Sequence, residues 1–278
     1  MTTPLGRAHS FARWHSNSDE RRRDVHGHID NLEVALVTAR PLRKIALVKD
    51  APPALESSAD LRARDWMLHA LTASSGAADT ISFLVLGKVF SAFMTGNVAF
   101  LGMRASGAAD APEVVSLLAS LGAFAVGSYV ASCIVTGRSD IWHRNVTLAL
   151  GVSLFGHVLF VALWLACAGA PAGEITLMML ASWAFASGVQ SAAVRSLHVE
   201  GMASTSATGT ILALMADIAD WRRTGPERRR LAAALASLFG GAVAGGLLVV
   251  HANAYAPLLP FTIALSVVVL AARRFGAT

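Results

Sequence analysis

The stretch Phe90–Met103 (FSAFMTGNVAFLGM) is an apolar run that Thr95-Gly96-Asn97 interrupts near its middle. Gly loosens a helix, and the Asn amide needs a hydrogen-bond partner wherever water is absent. A second Thr-Gly pair, Thr208-Gly209, lies in the apolar run 204–221. We therefore expect a broken or re-entrant helix at each place, and we look there first for a substrate.

The composition indicates an all-α integral membrane protein. The chain of 278 residues is 54% hydrophobic and only 15% charged, whereas soluble domains carry about 25% charged residues. Its surroundings are therefore the lipid bilayer. The net charge of +5 fits orienting charge at cytoplasmic helix ends. Because no basic face is interleaved with aromatic residues, we expect no nucleic-acid partner.

The first 65 residues differ from the remainder of the chain. They hold 11 Lys and Arg and 9 Asp and Glu, and they contain no apolar core of signal-peptide type. We interpret 1–65 as a cytosolic, largely disordered extension. The polytopic membrane domain is expected at 66–272, and 273–278 form a short cytosolic tail.

Eight apolar stretches follow the extension. Six are long enough to cross about 30 Å of hydrocarbon, whereas 90–106 and 204–221 are shorter or more polar. The stretches are 66–86, 90–106, 114–136, 146–168, 174–194, 204–221, 231–250 and 256–272.

An internal repeat relates the halves 66–168 and 174–272. Four short matches occur in the same order, at separations of 112 to 117 residues, which predicts a duplication. The matched segments are Ser75-Gly76 with Ser187-Gly188, Thr95-Gly96 with Thr208-Gly209, Ala119-Ser120-Leu121 with Ala236-Ser237-Leu238, and Thr147-Leu148-Ala149-Leu150 with Thr262-Ile263-Ala264-Leu265.

The distribution of basic residues favours six transmembrane helices and two re-entrant or broken ones. With that topology, nearly all Lys and Arg of the membrane domain lie on the cytoplasmic side, together with both termini. Three crossings per half make a 3+3 inverted repeat, an arrangement found in many secondary transporters. The alternative is eight spans with parallel halves, which would leave Arg138 and Arg144 outside.

Asp79 is the most unusual single residue, since it lies well inside the first predicted span. An ionisable group there needs a partner or a wet cavity. It could carry a proton or cation or bind substrate, or it could only hydrogen-bond a neighbouring helix, for instance at Asn97. The repeat places Gln190 near the equivalent position, so an acid and an amide would face the centre.

The broken elements supply the remaining predicted substrate-binding residues. A helix that restarts there presents free N–H groups and a positive dipole end, which suit an anionic group. The alternative is close helix packing through small residues. With Asp79 and Gln190, the predicted site consists of Thr95, Gly96, Asn97, Thr208, Gly209 and Thr210.

No motif in the sequence indicates catalysis. There is no HExxH, no Gly-x-Ser-x-Gly and no metal-ligand spacing around Cys133 or Cys167. His157 sits within an apolar run, where a hydrogen-bonded packing role is favoured over a proton relay. We expect no enzyme activity, no metal and no cofactor.

Several motifs together resemble one family of proteins. Their order and spacing are similar to those of the YoaK family of bacterial membrane proteins, a domain of unknown function, over roughly 66–272. The resemblance implies a multi-spanning protein of the bacterial inner membrane and no established activity. The family often has Asn where Ser191 stands here. The motifs are Ser75–Asp79, Leu86–Phe90, Met94–Asn97, Leu101-Gly102, Gly188–Ala192, Ala203–Thr205 and Thr208–Thr210.

The leading hypothesis is a secondary transporter or related permease for a small molecule or ion. A channel-like pore is the first alternative, because re-entrant elements also build selectivity filters. A non-transporting scaffold or sensor, with the basic extension as its working part, is the second. The sequence also permits a homo-oligomer.

Overall fold

The computed structural model describes residues 57–135, 141–199, 207–219 and 225–276. Over those residues the chain is helical and contains no strand, as the composition predicts. Residues 1–56, which make up most of the N-terminal extension, lie outside the described residues. The helices are α1 Ser58–Val85, α2 Met94–Ala105, α3 Val114–Ile134, α4 Arg144–Ala166, α5 Glu174–Arg195, α6 Ala207–Ala219, α7 Pro226–His251 and α8 Leu258–Phe275, with a 3-10 turn at Asn253–Tyr255.

Helix α1 begins eight residues before the first apolar stretch. The Ser57 side chain accepts from the Asp60 N–H at 3.1 Å, and the Asp60 carboxylate accepts from the Ser57 N–H at 3.3 Å. This capping box satisfies N–H groups that have no helical partner. The helix therefore starts at its cap, and its hydrophobic residues follow later.

Five described helices are long and apolar enough to cross a membrane: α3, α4, α5, α7, and α8 with its 3-10 turn. Helix α1 is the longest, at 28 residues, but its charged first turns and polar middle keep it out of that group. Helices α2 and α6 have 12 and 13 residues. At 1.5 Å per residue they span about 18–20 Å, too short for the hydrocarbon core.

Two hydrophobic clusters mark opposite ends of the bundle. One is built around Trp142, with Met67 of α1 and Phe275 of α8, and we call it the Trp142 end. The other is built around Trp183, with Ile81 of α1, and we call it the Trp183 end. From their residues in the two clusters, α1, α4 and α7 run from the Trp142 end to the Trp183 end. Helices α3, α5 and α8 run back.

Most helix contacts follow the same pattern in both halves, except that α3 packs on α4 more extensively than α7 packs on α8. Helix α1 packs on α7 and α8, and α5 packs on α3 and α4. Likewise α2 packs on α3, and α6 packs on α7, while α4 contacts α8 and α1 contacts α5. Exchanging α1–α4 with α5–α8 leaves this set of contacts unchanged.

Glycines bring the backbones of the two main cross-half pairs together. A Cβ at Gly76 of α1 would overlap the carbonyl oxygen of Leu238 of α7. A Cβ at Gly188 of α5 would overlap the carbonyl oxygen of Phe124 of α3. These two glycines belong to matching Ser-Gly pairs of the repeat. Small residues at such contacts let membrane helices approach closely.

Candidate functional site

The chain reverses direction directly after α1. Gly87 and Lys88 have φ angles of 82° and 63°, a left-handed conformation that only Gly adopts without cost. The Lys88 N–H donates to the Phe83 carbonyl at 3.1 Å and fixes this turn. Beyond it, the Ser82 hydroxyl donates to the Val89 carbonyl at 2.7 Å, so the chain returns beside the last turns of α1.

Asp79 holds the returning segment. Its Oδ1 accepts from the backbone N–H of Ser91 at 2.9 Å and of Ala92 at 2.7 Å, and from the Ser91 hydroxyl at 3.2 Å. The N–H of Phe93 lies further away, at 3.4 Å. These groups immediately precede α2, where N–H donors have no carbonyl of an earlier turn to bind. Asp79 therefore binds backbone, and not Asn97 as the structural alternative suggested.

Asn97 completes the hydrogen bonding of the same segment from the other side. The Phe90 N–H donates to its Oδ1 at 3.0 Å, and its Nδ2 donates to the Phe90 carbonyl at 2.7 Å. The same Nδ2 reaches the Ser120 Oγ of α3 at 3.1 Å. Asn97 is fully buried, and no other residue of α2 is buried. The amide thus meets its need for partners inside the bundle, as the sequence required.

We call this arrangement of Asp79, Ser82, Asn97 and Ser120 around 89–93 the first junction. Sequence reasoning missed Ser82 and Ser120. The Ser120 hydroxyl donates to the Phe90 carbonyl at 2.7 Å, where it joins α3 to the break. Its signal was available, because Ser120 lies in one of the triplets that reveal the repeat.

Thr95 and Gly96 have different surroundings. Thr95 is exposed. Gly96 faces the rings of Phe90 and Phe93, which would collide with a Cβ at this position. The Phe90 ring also stacks on Phe83, with centroids 4.9 Å apart. At Gly96 the geometry agrees with the close-packing alternative.

Gln190 of α5 contacts α1 at Ser75, which lies one helical turn before Asp79. Its Nε2 donates to the Ser75 Oγ at 2.9 Å and to the Leu71 carbonyl at 3.2 Å. The side chain is buried, and it joins α5 of the second half to α1 of the first. Gln190 therefore contacts α1 one helical turn before Asp79, but it does not bond to Asp79 itself.

Helix α6 carries the remaining predicted residues. Thr208 and Gly209 are exposed, whereas Thr210 is buried, and no other residue of α6 is. Thr210 therefore matches Asn97 in both sequence position and burial. Residues 200–206 lie outside the described part. We call α6 together with Gln190, which the predicted repeat places near the position equivalent to Asp79, the second junction.

Asp217, near the end of α6, pairs with Arg228 of α7 at 2.9 Å. Two other arginines close to this acid in the sequence, Arg222 and Arg223, lie outside the described residues. His157 accepts from the Trp183 Nε1 at 3.0 Å, the packing role that the sequence favoured. Among the described residues, no group of three or more His, Cys, Asp or Glu is placed to hold a metal ion.

Comparison with known proteins gives two matches. The model of a family described as "Protein of unknown function (DUF1275)" matches residues 67–271. The chain is also similar to the "UPF0700 transmembrane protein YoaK" of Bacillus subtilis (strain 168). The two are 33% identical over 156 residues, which is 56% of this chain and 67% of that protein. No solved structure matches the chain.

Proposed function

The chain belongs to the DUF1275 family, and on that premise we propose that it is a secondary transporter or related permease for a small solute. The observation that carries the proposal is the opposed direction of the two halves. Helices α1, α3 and α4 run opposite to their counterparts α5, α7 and α8 between the Trp142 and Trp183 ends, with largely reciprocal contacts. Each half has one short helix after its first long helix. This supports six crossings in a 3+3 inverted repeat, on which alternating access is commonly built.

The first junction supplies the chemistry of the proposed site. The N–H groups before α2 already bind the Asp79 carboxylate, whose negative charge disfavours a second anion. A proton or cation at Asp79 is therefore a better occupant than the anionic group suggested by the sequence. In this proposal Asp79 binds the coupling ion, Asn97 positions the segment that leads into α2, and Gln190 holds α5 against α1. The exposed residues Thr95, Thr208 and Gly209 are the candidate solute contacts, whereas Gly96 and Thr210 serve packing.

The proposed mechanism couples that ion to movement of the first junction. Neutralising Asp79 weakens its charge-assisted hydrogen bonds to Ser91 and Ala92. The segment 89–93 and α2 then separate more easily from α1. Because α2 packs on α3 and α3 packs on α5, that change reaches the second half through direct contacts.

Topology can be tested by cysteine labelling. With Cys133 and Cys167 replaced by Ala, we expect Ser106→Cys to react with an impermeant thiol reagent from outside the cell. Arg144→Cys is expected to react only after permeabilisation. The opposite result at both positions would favour eight spans with parallel halves, because a crossing α2 exchanges the two sides.

Transport can be tested in proteoliposomes with pooled isotope-labelled amino acids, sugars, organic acids and inorganic cations. We expect saturable uptake of at least one pool that depends on a proton or cation gradient and that Asp79→Asn uncouples. Asp110→Asn, at an exposed acid in the loop before α3, is the control. Non-saturating flux would indicate a pore, and absence of flux from every pool would favour a scaffold or sensor.

A further inference from the structure

A basic pocket opens between α1 and α7 at the Trp142 end of the bundle. Its volume is about 300 Å³. Two turns of α1 face the first turns of α7 across the pocket. Three arginines, a histidine, a tryptophan and a serine from these two helices line it. These residues are Arg62, Trp66, His69, Arg229, Arg230 and Ser237.

The charges of the pocket are not balanced. Its one lining acid, Asp65, is bound to Arg64 at 3.2 Å, and Arg230 is bound to Glu227 at 3.2 Å. Within the described ranges, Arg62 and Arg229 form no ion pair or hydrogen bond. Among the described residues around the pocket, four arginines (Arg62, Arg64, Arg229 and Arg230) and two acids (Asp65 and Glu227) leave a local charge of +2. The N-terminal end of α7 adds to the positive potential, so the pocket favours an anion.

An apolar groove lies on the other face of α1, against α8. It measures about 320 Å³ and is lined by Met67, Ala70, Ile263, Val267 and Leu270. Trp66 lines this groove as well as the basic pocket, and 74% of its surface is exposed. The two concavities therefore meet at one indole ring.

The groove extends from the charged end of the bundle toward its middle. Helix α8 runs antiparallel to α1, because Arg274 bonds Asp60 at 2.8 Å and the Ser74 hydroxyl bonds the Pro260 carbonyl at 3.1 Å. Its lining on α8 runs from Leu270 inward to Thr262, about 12 Å at 1.5 Å per residue. An acyl chain likewise extends from a headgroup at the membrane surface toward the middle of the bilayer.

We propose that the basic pocket binds the phosphate of an anionic membrane phospholipid, one acyl chain of which lies in the α1–α8 groove with Trp66 between the two. Arginines suit phosphate because their guanidinium groups donate in pairs, and basic pockets between transmembrane helices bind lipid headgroups. A free phosphate ester would use the pocket alone. The adjoining apolar groove is what selects a lipid.

The headgroup contact can be tested on the full-length protein in an uncharged detergent. Native mass spectrometry should give tighter binding of phosphatidylglycerol than of phosphatidylcholine, weakened by added salt. Each arginine contributes roughly fivefold, so Arg62→Gln/Arg229→Gln should weaken phosphatidylglycerol roughly twentyfold. Arg144→Gln is the matched control, since Arg144 is an exposed arginine that begins α4 at the same end of the bundle. Equal binding of both lipids, or equal effects of the two variants, would overturn the proposal.

The acyl contact has a separate readout. In a Trp14→Phe/Trp221→Phe background, phosphatidylglycerol with dibrominated chains should quench a component of tryptophan fluorescence that is absent from Trp66→Phe, since the other remaining tryptophans, Trp142, Trp164 and Trp183, are fully buried. Unchanged quenching in that variant would remove the acyl chain from the groove. Glycerol 3-phosphate should bind far more weakly than the lipid, and equal affinity would mean that the pocket takes free phosphate esters. Arg62→Lys/Arg229→Lys, which keeps the charge, should recover part of the binding.

Discussion

The two junctions share a position in the predicted repeat but differ in their side chains. At the first, Asp79 and Asn97 both bind the segment that leads into α2, so a long helix and the short helix after it belong to one hydrogen-bonded unit. At the second, Gln190 lies in the long helix α5 but bonds to Ser75 of the opposite half. Thr210 takes the buried position that Asn97 has in α2.

If the halves arose by duplication, as the matched segments predict, this difference would show how equivalent backbones acquire unequal roles. The glycine contacts between α1 and α7 and between α5 and α3 are of the same kind in both halves, since close packing depends on backbone shape. The polar residues are not equivalent. A carboxylate restrains one junction locally, and an amide joins the halves at the other. In the proposed transporter, this inequality would place the coupling ion at the first junction alone.

The largest expected effect is at Asp79. Asp79→Ala leaves the N–H groups of Ser91 and Ala92 without their acceptor, which should lower the free energy of unfolding by about 4 kcal/mol. Equilibrium unfolding in mixed micelles measures it. Asp110→Ala, at an exposed acid, should change little. Equal values for the two variants would mean that the first junction does not depend on its carboxylate.

Gly76 and Gly188 test the close helix packing that is of the same kind in both halves. Gly76→Ala and Gly188→Ala each force a methyl group against a backbone carbonyl of the partner helix, at a cost of about 3 kcal/mol. Gly122→Ala on α3, where a Cβ meets nothing within 4 Å, should be neutral or slightly stabilising. If only one of the two contact glycines is sensitive, the packing of the halves is not equivalent.

Replacing Asn97 by Thr gives the first junction the side chain of the second. A threonine cannot both accept from the Phe90 N–H and donate to its carbonyl while reaching Ser120, so Asn97→Thr should cost about 2 kcal/mol. Thermal unfolding followed by tryptophan fluorescence checks this. An unchanged stability would show that the hydroxyl suffices and that the two junctions are interchangeable.

Gln190→Leu removes the amide that joins the halves. The loss of its bonds to Ser75 and Leu71 should cost about 1 kcal/mol, because leucine fills a similar volume. Ser75→Ala is the complementary variant, and the double variant should cost less than the sum of the two. Full additivity would mean that the Gln190 and Ser75 side chains contribute no interaction free energy to stability.

The smallest effect is expected at the ion pair between Asp60 of α1 and Arg274 of α8, which joins the halves and belongs to neither junction. Hydrogen bonds from the Ser57 side chain and from Arg274 hold the pKa of Asp60 below its usual range. Its stabilising contribution is therefore present above the ordinary aspartate pKa and is lost as the pH falls through the lowered value. The stability difference between wild type and Asp60→Asn should be constant at neutral pH and vanish only below about pH 4. A difference that already shrinks near pH 6 would contradict this assignment.

Most of the helical layout could be predicted from hydrophobic runs. The positions of α2 and α6 follow from Thr95-Gly96-Asn97 and Thr208-Gly209, and both helices are too short to cross. The start of α1 could not be placed from its apolar residues, because the capping box at Ser57 precedes them. The partners of Asp79 could not be predicted either. They are backbone groups that become free only when the chain turns back at Gly87.

By itself, the sequence determined an all-helical membrane protein, since its apolar residues exceed what a soluble core can bury and each helix satisfies its own backbone. It also indicated where the two short helices begin, although Thr95-Gly96-Asn97 and Thr208-Gly209 lie in the first turns of α2 and α6 and not at unwound points. Only the tertiary structure decided that Asp79 and Asn97 stabilise one break together. Their partners are close in space but lie 7 to 23 residues away in the chain. The joining of Gln190 to Ser75, 115 residues apart, was likewise decided by the packing of α5 against α1.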